Sequence, residues 1–345
     1  MLARGRGMMD APVLALRNLE MRFVQSVDLA GRIANLFGAG LRTQVVHAVA
    51  DVDLDVAPGE VLGIVGESGC GKSTLGRIAA GILRPSGGTI AWRGAPVAQM
   101  GASQRRAYEL GVQMIFQDPY ASLNPRMRVR DIIGEAPVAH GMVLSRDKAE
   151  YVAGLMRQVG LDPAYAQRYP HQFLGGQRQR IGIARALALK PAVIVCDEAV
   201  AALDVSIQAQ VINLFAQLRQ DLGLTYLFIS HNLSVVSHIS DRVAIMYLGR
   251  VVELAPTIQV FEHANHPYTQ ALLAELPTLR VQRRQYRPIK GELPSPLAPP
   301  PSCAFHPRCP HAMPRCSVER PLLREIAPGH TSACHLNDIA AAQQA

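Results

Sequence analysis

The sharpest chemistry in the chain lies in Gly66-Glu67-Ser68-Gly69-Cys70-Gly71-Lys72-Ser73-Thr74. Gly66, Gly71, Lys72 and Ser73 fill the pattern G-x-x-x-x-G-K-[ST]. Glycines at 66, 69 and 71 allow the backbone to wrap around an anion with its N–H groups turned inward. Lys72 is spaced to reach the β- and γ-phosphates of a nucleotide, and the Ser73 hydroxyl to hold Mg²⁺. A second set of reactive types follows. Asp197-Glu198 closes an apolar run, Gln117 ends another, and His231 ends a third. A carboxylate at a strand end after a phosphate loop is placed to hold Mg²⁺. A neighbouring glutamate is placed to orient or deprotonate a water.

These residues need particular elements to present them. Val61-Leu62-Gly63-Ile64-Val65 reads as a buried strand and Leu75 to Ala80 as the first turns of a helix. Strand, Gly-rich loop and helix is the setting in which the motif binds phosphate, with the helix N-terminus adding partial positive charge. Ala192 to Cys196 is a continuous apolar run, as in a buried parallel strand. Residues 177 to 189 form an amphipathic helix pattern, basic at its start, and 206 to 222 a further helix. Tyr226 to Ile229 reads as a strand leading to Ser230-His231. Val243 to Tyr247 and Val251 to Leu254 flank Leu248-Gly249-Arg250 as a hairpin.

Upstream, residues 12 to 23 read as a strand near one edge, and 24 to 46 as an insertion or loop. Val52, Leu54 and Val56 alternate with Asp51, Asp53 and Asp55, a half-buried strand. Gly87 to Gly94 suggests an antiparallel strand, and Leu110 to Gln117 a strand ending at Gln117. Alternating strands and helices make the core α/β. After about residue 260 the composition shifts. Arg280, Arg283, Arg284 and Arg287 precede Pro294, Pro296 and Pro299 to Pro301, a linker before a short cysteine-bearing appendix.

The chain has 345 residues and a net charge of +8, with 49% hydrophobic and 18% charged residues. That composition predicts a packed core rather than disorder. No apolar run approaches ~18 residues, so no spanning helix is expected. Met1 to Gly7 lacks an apolar region behind its positive charge, so a secretory signal is not expected. The expected compartment is the cytosol, where six cysteines act as thiols or metal ligands rather than disulfides.

Phe173-Leu174-Gly175-Gly176-Gln177-Arg178-Gln179-Arg180 lies between the phosphate loop and Asp197. With it, the chain resembles the ATP-binding-cassette (ABC) family, whose signature there is usually Ser-Gly-Gly-Gln. The resemblance implies a P-loop cassette with a RecA-like core, an antiparallel β subdomain and a helical subdomain, and ATP with Mg²⁺ as cofactors. It implies two cassettes packed head to tail, each ATP held between one phosphate loop and the partner's signature. Gln117 matches the family's glutamine loop, which senses Mg²⁺ and touches the membrane subunit. His231 matches its switch histidine at the γ-phosphate, and Ala201-Ala202-Leu203-Asp204 its dimer-contact loop. The adenine stacks on an aromatic upstream. Phe23 is the nearest match, with a core packing role equally open. Mg²⁺ would be held through Ser73, Gln117 and Asp197.

Gln117-Asp118-Pro119-Tyr120-Ala121-Ser122-Leu123-Asn124-Pro125-Arg126, His266-Pro267-Tyr268-Thr269 and Gly291-Glu292-Leu293-Pro294-Ser295-Pro296-Leu297 are similar to the dipeptide/oligopeptide importer ATPases. The last favours the second ATPase of a dipeptide-type heterodimer. This divides the chain into a cassette over 12–260, with its helical subdomain at about 118–185, a Pro/Arg-rich linker over 261–302, and an extension over 303–336. The implied partners are a second ATPase subunit, two transmembrane permease subunits and an extracytoplasmic solute-binding protein, with no nucleic acid. The implied location is the cytoplasmic face of the inner membrane, peripherally bound.

Leu174 departs from the signature, since it replaces a serine that donates to the γ-phosphate. Losing a hydrogen bond to a charged group costs about 1.5–3 kcal/mol. Because the sites are shared head to tail, the loss falls on the partner's ATP. The site on Lys72, Asp197 and Glu198 keeps its own parts. The expectation is a heterodimer with unequal sites; tolerance of Leu174, or a homodimer, is the other course. Cys303, Cys309, Cys316 and Cys334 lack the tight C-x₂-C spacing of a zinc ribbon. Thiolates in such a set hold Zn²⁺ or a [4Fe–4S] cluster, or stay free. The resemblance favours [4Fe–4S], with zinc second. Cys70 and Cys196 are expected to be structural. Two other functions remain open: a soluble cassette ATPase acting on nucleic acid, which the net charge permits, and a nucleotide-binding scaffold with little hydrolysis. The short stretch between Lys72 and Gly175 leaves no room for the long coiled coil of repair-type members, and Glu198 argues against the scaffold.

Overall fold

A strand that is apolar at every position must be covered on both faces, and Val61–Val65 is buried throughout. The computed structural model describes residues 11–25, 43–118, 120–276, 291–292 and 294–338. In chain order, β1 (Leu14–Gln25), β2 (Gln44–Val56) and β3 (Val61–Val65) precede helix α1 (Lys72–Ala79). Then come β4 (Gly87–Trp92), β5 (Ala95–Pro96), α2 (Ala102–Gly111) and β6 (Val112–Ile115). Helices α3 (Val129–Ala139), α4 (Lys148–Gln158) and α5 (Gly175–Leu187) follow, then β7 (Val193–Asp197), α6 (Val205–Leu222), β8 (Thr225–Ile229) and α7 (Leu233–Ile239). The C-terminal part holds β9 (Arg242–Tyr247), β10 (Arg250–Pro256), α8 (Thr257–Glu262), α9 (Pro267–Ala274), β11 (Arg324–Ala327) and β12 (His330–Ser332).

Among the described residues there are two sheets: a four-stranded one in the order β2-β1-β4-β5, and an eight-stranded one in the order β11-β12-β10-β9-β3-β8-β7-β6. The run β9-β3-β8-β7-β6 is parallel. Its loops therefore emerge at one edge, where open α/β sheets bind ligands. The small sheet is antiparallel and packs its apolar side, including Leu16, Leu54 and Val56, with Ile64, Leu75 and Ile78 of the core. Helices α3, α4 and α5 form the remaining piece. Ile132, Ile133, Val152, Met156 and Ile181 share its interior, which is continuous with the main core.

Several local readings change in the structure. β1 is not an edge strand, because β2 and β4 flank it on either side. β2 begins at Gln44, within the stretch read as an insertion; residues 26–42 lie outside the described ones. Leu110 and Gly111 finish α2, leaving only Val112–Ile115 as strand. Residues 261–276, read as the start of a linker, are instead packed structure. Tyr268 of α9 is fully buried against Tyr247 and Phe305, with ring centroids 4.7 and 5.4 Å away. Burying an aromatic ring outweighs the local Pro and Asn signals. Arg280, Arg283, Arg284 and Arg287 lie outside the described residues, as does Leu293.

The appendix does not hang free. β12 pairs antiparallel with β10, Glu253 opposite Ser332 and Leu254 opposite Thr331. At that seam the fully buried Glu253 carboxylate accepts from the backbone N–H groups of Asn265 (2.8 Å) and His266 (3.0 Å) and pairs with His330 Nε2 at 2.7 Å. Phe305 brings its ring to Tyr247, Tyr268 and His266.

His266 Nδ1 accepts from the Tyr268 N–H at 3.1 Å and so caps α9. Burial pushes its pKa down from 6.5 to about 4. The unfolded chain binds the proton below the ordinary value, whereas the folded chain binds it only below the lowered one. Stability therefore rises with pH through that window, and acidification removes about 3 kcal/mol at this site. His266→Asn keeps a cap acceptor and removes the titration. Urea midpoints at pH 7 and pH 4 should show a smaller acid loss for the variant than for the wild type; equal losses would contradict this.

Candidate nucleotide site

The loop between β3 and α1 runs over Gly66 to Gly71 and sits on unusual backbone. Gly71 takes φ 103° at the start of α1, and a Cβ there would collide with the Ala48 carbonyl. A Cβ on Gly66 would likewise strike the carbonyl of Met246. Only glycine satisfies both the conformation and the approach at Gly71. Lys72 is only 4% exposed; its Nζ donates to the carbonyls of Gly66 (2.8 Å) and Glu67 (3.0 Å). Carbonyl oxygens around a buried ammonium offset part of the cost of taking it out of water. Ser68 and Gly69 form the exposed tip, Cys70 is buried beneath it, and Thr74 lies part-buried in the first turn of α1. Burial raises the Cys70 thiol pKa, with the Lys72 charge acting against it.

The parallel sheet brings the other reactive residues to this edge. Asp197 ends β7 and is 1% exposed; its Oδ1 accepts from Ser73 Oγ at 2.7 Å. Burial pushes the Asp197 carboxyl up, while the Ser73 hydrogen bond and Arg77 pull it down. A hydroxyl and a buried carboxylate oxygen at this spacing fit Mg²⁺, which takes hard oxygen ligands. Glu198 adopts φ 48°, and its N–H donates to the Ile229 carbonyl at 2.9 Å. That turn lifts its carboxylate off the strand, between Gln117 Nε2 at 2.8 Å and His231 Nδ1 at 3.2 Å. Asn232 caps α7 through Ser234 N–H (3.0 Å), which fixes the loop carrying His231. The structure thus gathers Lys72, Ser73 and Asp197 in one group and Gln117, Glu198 and His231 in another. Gln117, expected beside the metal, turns its amide to Glu198 instead.

The signature residues are placed differently. Leu174 precedes α5 and is 76% exposed. Gln177 Oε1 accepts from the Leu174 N–H at 3.1 Å, but leucine has no oxygen to return the bond to the helix. Gly175 and Gly176 lie against the segment after Asp197-Glu198. Leu203 approaches Gly175, and Ile207 leaves no room for a Cβ on Gly176. Phe23 is 41% exposed on β1, opposite Val46.

Three contacts to the loop escaped the sequence reading. The Gly249 N–H donates to the Cys70 carbonyl at 2.8 Å, so the β9–β10 turn braces the loop from below. Tyr268 Oη accepts from the Glu67 N–H at 2.9 Å, and Arg308 holds the Glu67 carboxylate with both terminal nitrogens, at 2.7 and 2.9 Å. The Leu248-Gly249 turn and the His266-Pro267-Tyr268-Thr269 segment were visible signals; their destination was not.

The cysteine appendix requires a correction. Cys303 and Cys316 are neighbours, the Cys303 N–H donating to the Cys316 carbonyl at 3.2 Å. Burial raises the thiol pKa of Cys303 and Cys309, and that of Cys334 to about 11. Yet among the described residues no three His, Cys, Asp or Glu side chains gather as a metal-holding group. Neither a [4Fe–4S] cluster nor zinc is supported. Phe305 packing and the β12 pairing hold the appendix by other means.

Residues 49–201 match the ABC transporter family, and residues 252–316 match the oligopeptide/dipeptide transporter C-terminal region. The oligopeptide transport ATP-binding protein AppF of Bacillus subtilis is 52% identical over 295 residues, covering 84% of this chain and 90% of that protein. The chain belongs to the ABC transporter ATP-binding family, in its oligopeptide/dipeptide group. A Sinorhizobium fredii protein, y4tS, named as a probable peptide ABC transporter ATP-binding protein, is 51% identical, covering 86% of this chain and 85% of its own. Among solved structures, cbiO1 of Clostridium perfringens overlays with TM-score 0.59 at 25% identity, covering 73% of this chain and 92% of that one. The dimeric cassette MJ0796 with ADP and Pi gives 0.59 at 22%, covering 71% and 98%. These overlays establish the cassette fold. Membership of the family makes the protein an ATPase. Among the described residues no helix is long and apolar enough to cross a membrane.

Gly71→Ala tests the loop geometry. Left-handed backbone at a non-glycine residue costs about 1–3 kcal/mol, and the Ala48 carbonyl adds a clash. The variant should melt earlier and lose Mg·ATP binding; wild-type melting and binding would contradict the geometry.

Proposed function

We propose that this chain is the ATP-hydrolysing subunit of an importer for di- or oligopeptides or a related small solute. It works in a heterodimer with unequal ATP sites, at the cytoplasmic face of the inner membrane. Two permease subunits lie above it, and an extracytoplasmic binding protein delivers the solute. The peptide group named for the matched C-terminal region and for AppF supports the cargo class.

One observation supports the reading: Ser73, Asp197, Glu198, Gln117 and His231 come together at one sheet edge, while the signature position carries an exposed Leu174. Lys72 reaches the β- and γ-phosphates, and the N–H groups of the loop and first helical turn, other than those of Glu67 and Cys70, line the triphosphate. Ser73 and Asp197 would hold Mg²⁺, while Gln117 keeps its amide on the Glu198 carboxylate. When bound, the metal neutralises charge on the phosphate oxygens. Glu198 takes a proton from the attacking water, whose oxygen forms the new bond to the γ-phosphorus as the bond to ADP breaks. His231, whose Nδ1 lies 3.2 Å from Glu198, contacts the γ-phosphate. Phe23 offers its exposed ring to the adenine. Leu174, Gly175, Gly176 and Gln177 face the partner subunit's ATP, where an exposed leucine replaces a donor. ATP binding closes the dimer and hydrolysis reopens it, driving alternating access in the permeases.

Glu198→Gln in the assembled transporter should lower ATP turnover by roughly 100-fold or more, as expected for loss of a positioned base. Leu174→Ser should leave turnover unchanged or raise it, through the partner's site. Near-normal turnover in Glu198→Gln would show that hydrolysis runs on the other site.

A further inference from the structure

The loop that must accept a polyanion carries a carboxylate of its own, Glu67. The structure handles that charge from the far end of the chain. Arg308 sits in a short 3₁₀ turn, His306–Arg308, beside Cys309, and its side chain is 6% exposed. Nη1 and Nη2 each donate to one oxygen of Glu67, at 2.7 and 2.9 Å, a two-pronged pair. The guanidinium is itself fixed. It lies 5.9 Å from the Tyr247 ring centre, and Nη1 also reaches Tyr247 Oη at 3.4 Å. Tyr247, Tyr268 and Phe305 form one aromatic block beneath it. From the same block Tyr268 Oη takes the Glu67 N–H. Both the backbone and the side chain of Glu67 are therefore held by the C-terminal region.

We propose that this C-terminal region serves the nucleotide site: Arg308 is a positioning residue that draws the Glu67 carboxylate back and neutralises it, so that ATP meets a net positive loop. Without Arg308, two things follow. The carboxylate, 25% exposed even when paired, faces the triphosphate as a like charge. It also becomes free to compete for the Lys72 ammonium, which already lies 3.0 Å from the Glu67 carbonyl. Both effects weaken nucleotide binding and leave Glu198, Gln117 and His231 untouched. The inference goes beyond the transporter reading: it concerns one chain's grip on ATP, whatever the cargo or the partner.

The test is a calorimetric titration of the full-length chain with Mg·ATP, together with ATP turnover in the assembled transporter. Arg308→Ala should weaken binding about 10-fold, the size expected for an unpaired charge a few ångströms from an anion. KM for ATP should rise similarly, with kcat within about twofold. The decisive variant combines Arg308→Ala with Glu67→Gln. It lacks the bridge as fully as the single variant but has no stray charge, and its affinity should return most of the way to wild type. If Arg308→Ala does not fold, Arg308→Gln, which keeps the stem packed on Tyr247, is compared with its own Glu67→Gln double. Unchanged affinity in the single variant, or no recovery in the double, overturns the proposal. The second result would mean that Arg308 matters only as an anchor of the appendix. A wild-type chain that bound no Mg·ATP would overturn both this inference and the nucleotide site itself.

Discussion

A phosphate loop has to hold a set of N–H donors and a lysine turned toward an anion without collapsing on itself. This constraint shapes the surrounding structure. Lys72, buried at 4% exposure, is stabilised by the carbonyls of Gly66 and Glu67. Those carbonyls stay in place because Gly66 and Gly71 press against the backbone of Met246 and Ala48. The loop is braced from three sides: by β2 at Ala48, by the β9–β10 turn at Gly249, and by the C-terminal region at Glu67. A pre-arranged set of dipoles needs little reorganisation when charge arrives, which is where such sites gain their strength.

The parallel order of strands supplies the rest. With β3 between β9 and β8, and β7 next to β8, the loops after β3, β7 and β8 leave the same edge. That is why Ser73, Asp197, Glu198 and His231, far apart in the chain, lie within hydrogen-bond distance in two linked groups. Gln117 joins them because β6 is the next strand out. Leu174 and Gly175, by contrast, begin a helix beside the segment that follows Glu198. One edge of the sheet therefore gathers Ser73, Asp197, Glu198 and His231, and the residues matching the family signature start α5 next to the segment after Glu198.

Much of this was legible because strong local rules apply to the residues concerned. The glycines of the loop, the unbroken apolar run of β7 and the alternation of β2 each leave one reading. What stayed hidden depended on long-range pairing. Nothing local in Leu14–Gln25 says that strands cover both of its edges. Nothing in the proline-rich stretch after residue 260 says that Tyr268 and Phe305 will share an aromatic block, or that β12 will extend the main sheet. Arg308 was passed over because its partner, Glu67, lies at the opposite end of the sequence. The cysteine reading finds no support for a related reason. Spacing shows that thiols are available, but only the packing of the appendix decides whether three of them share one point.

The most direct measurement is the affinity of the full-length chain for Mg·ATP with Lys72 replaced by alanine, read beside solute uptake by the assembled transporter. Loss of nucleotide binding together with loss of uptake is the predicted result. An affinity equal to wild type, or uptake that proceeds without the lysine, would contradict a phosphate loop at the centre of this protein's work.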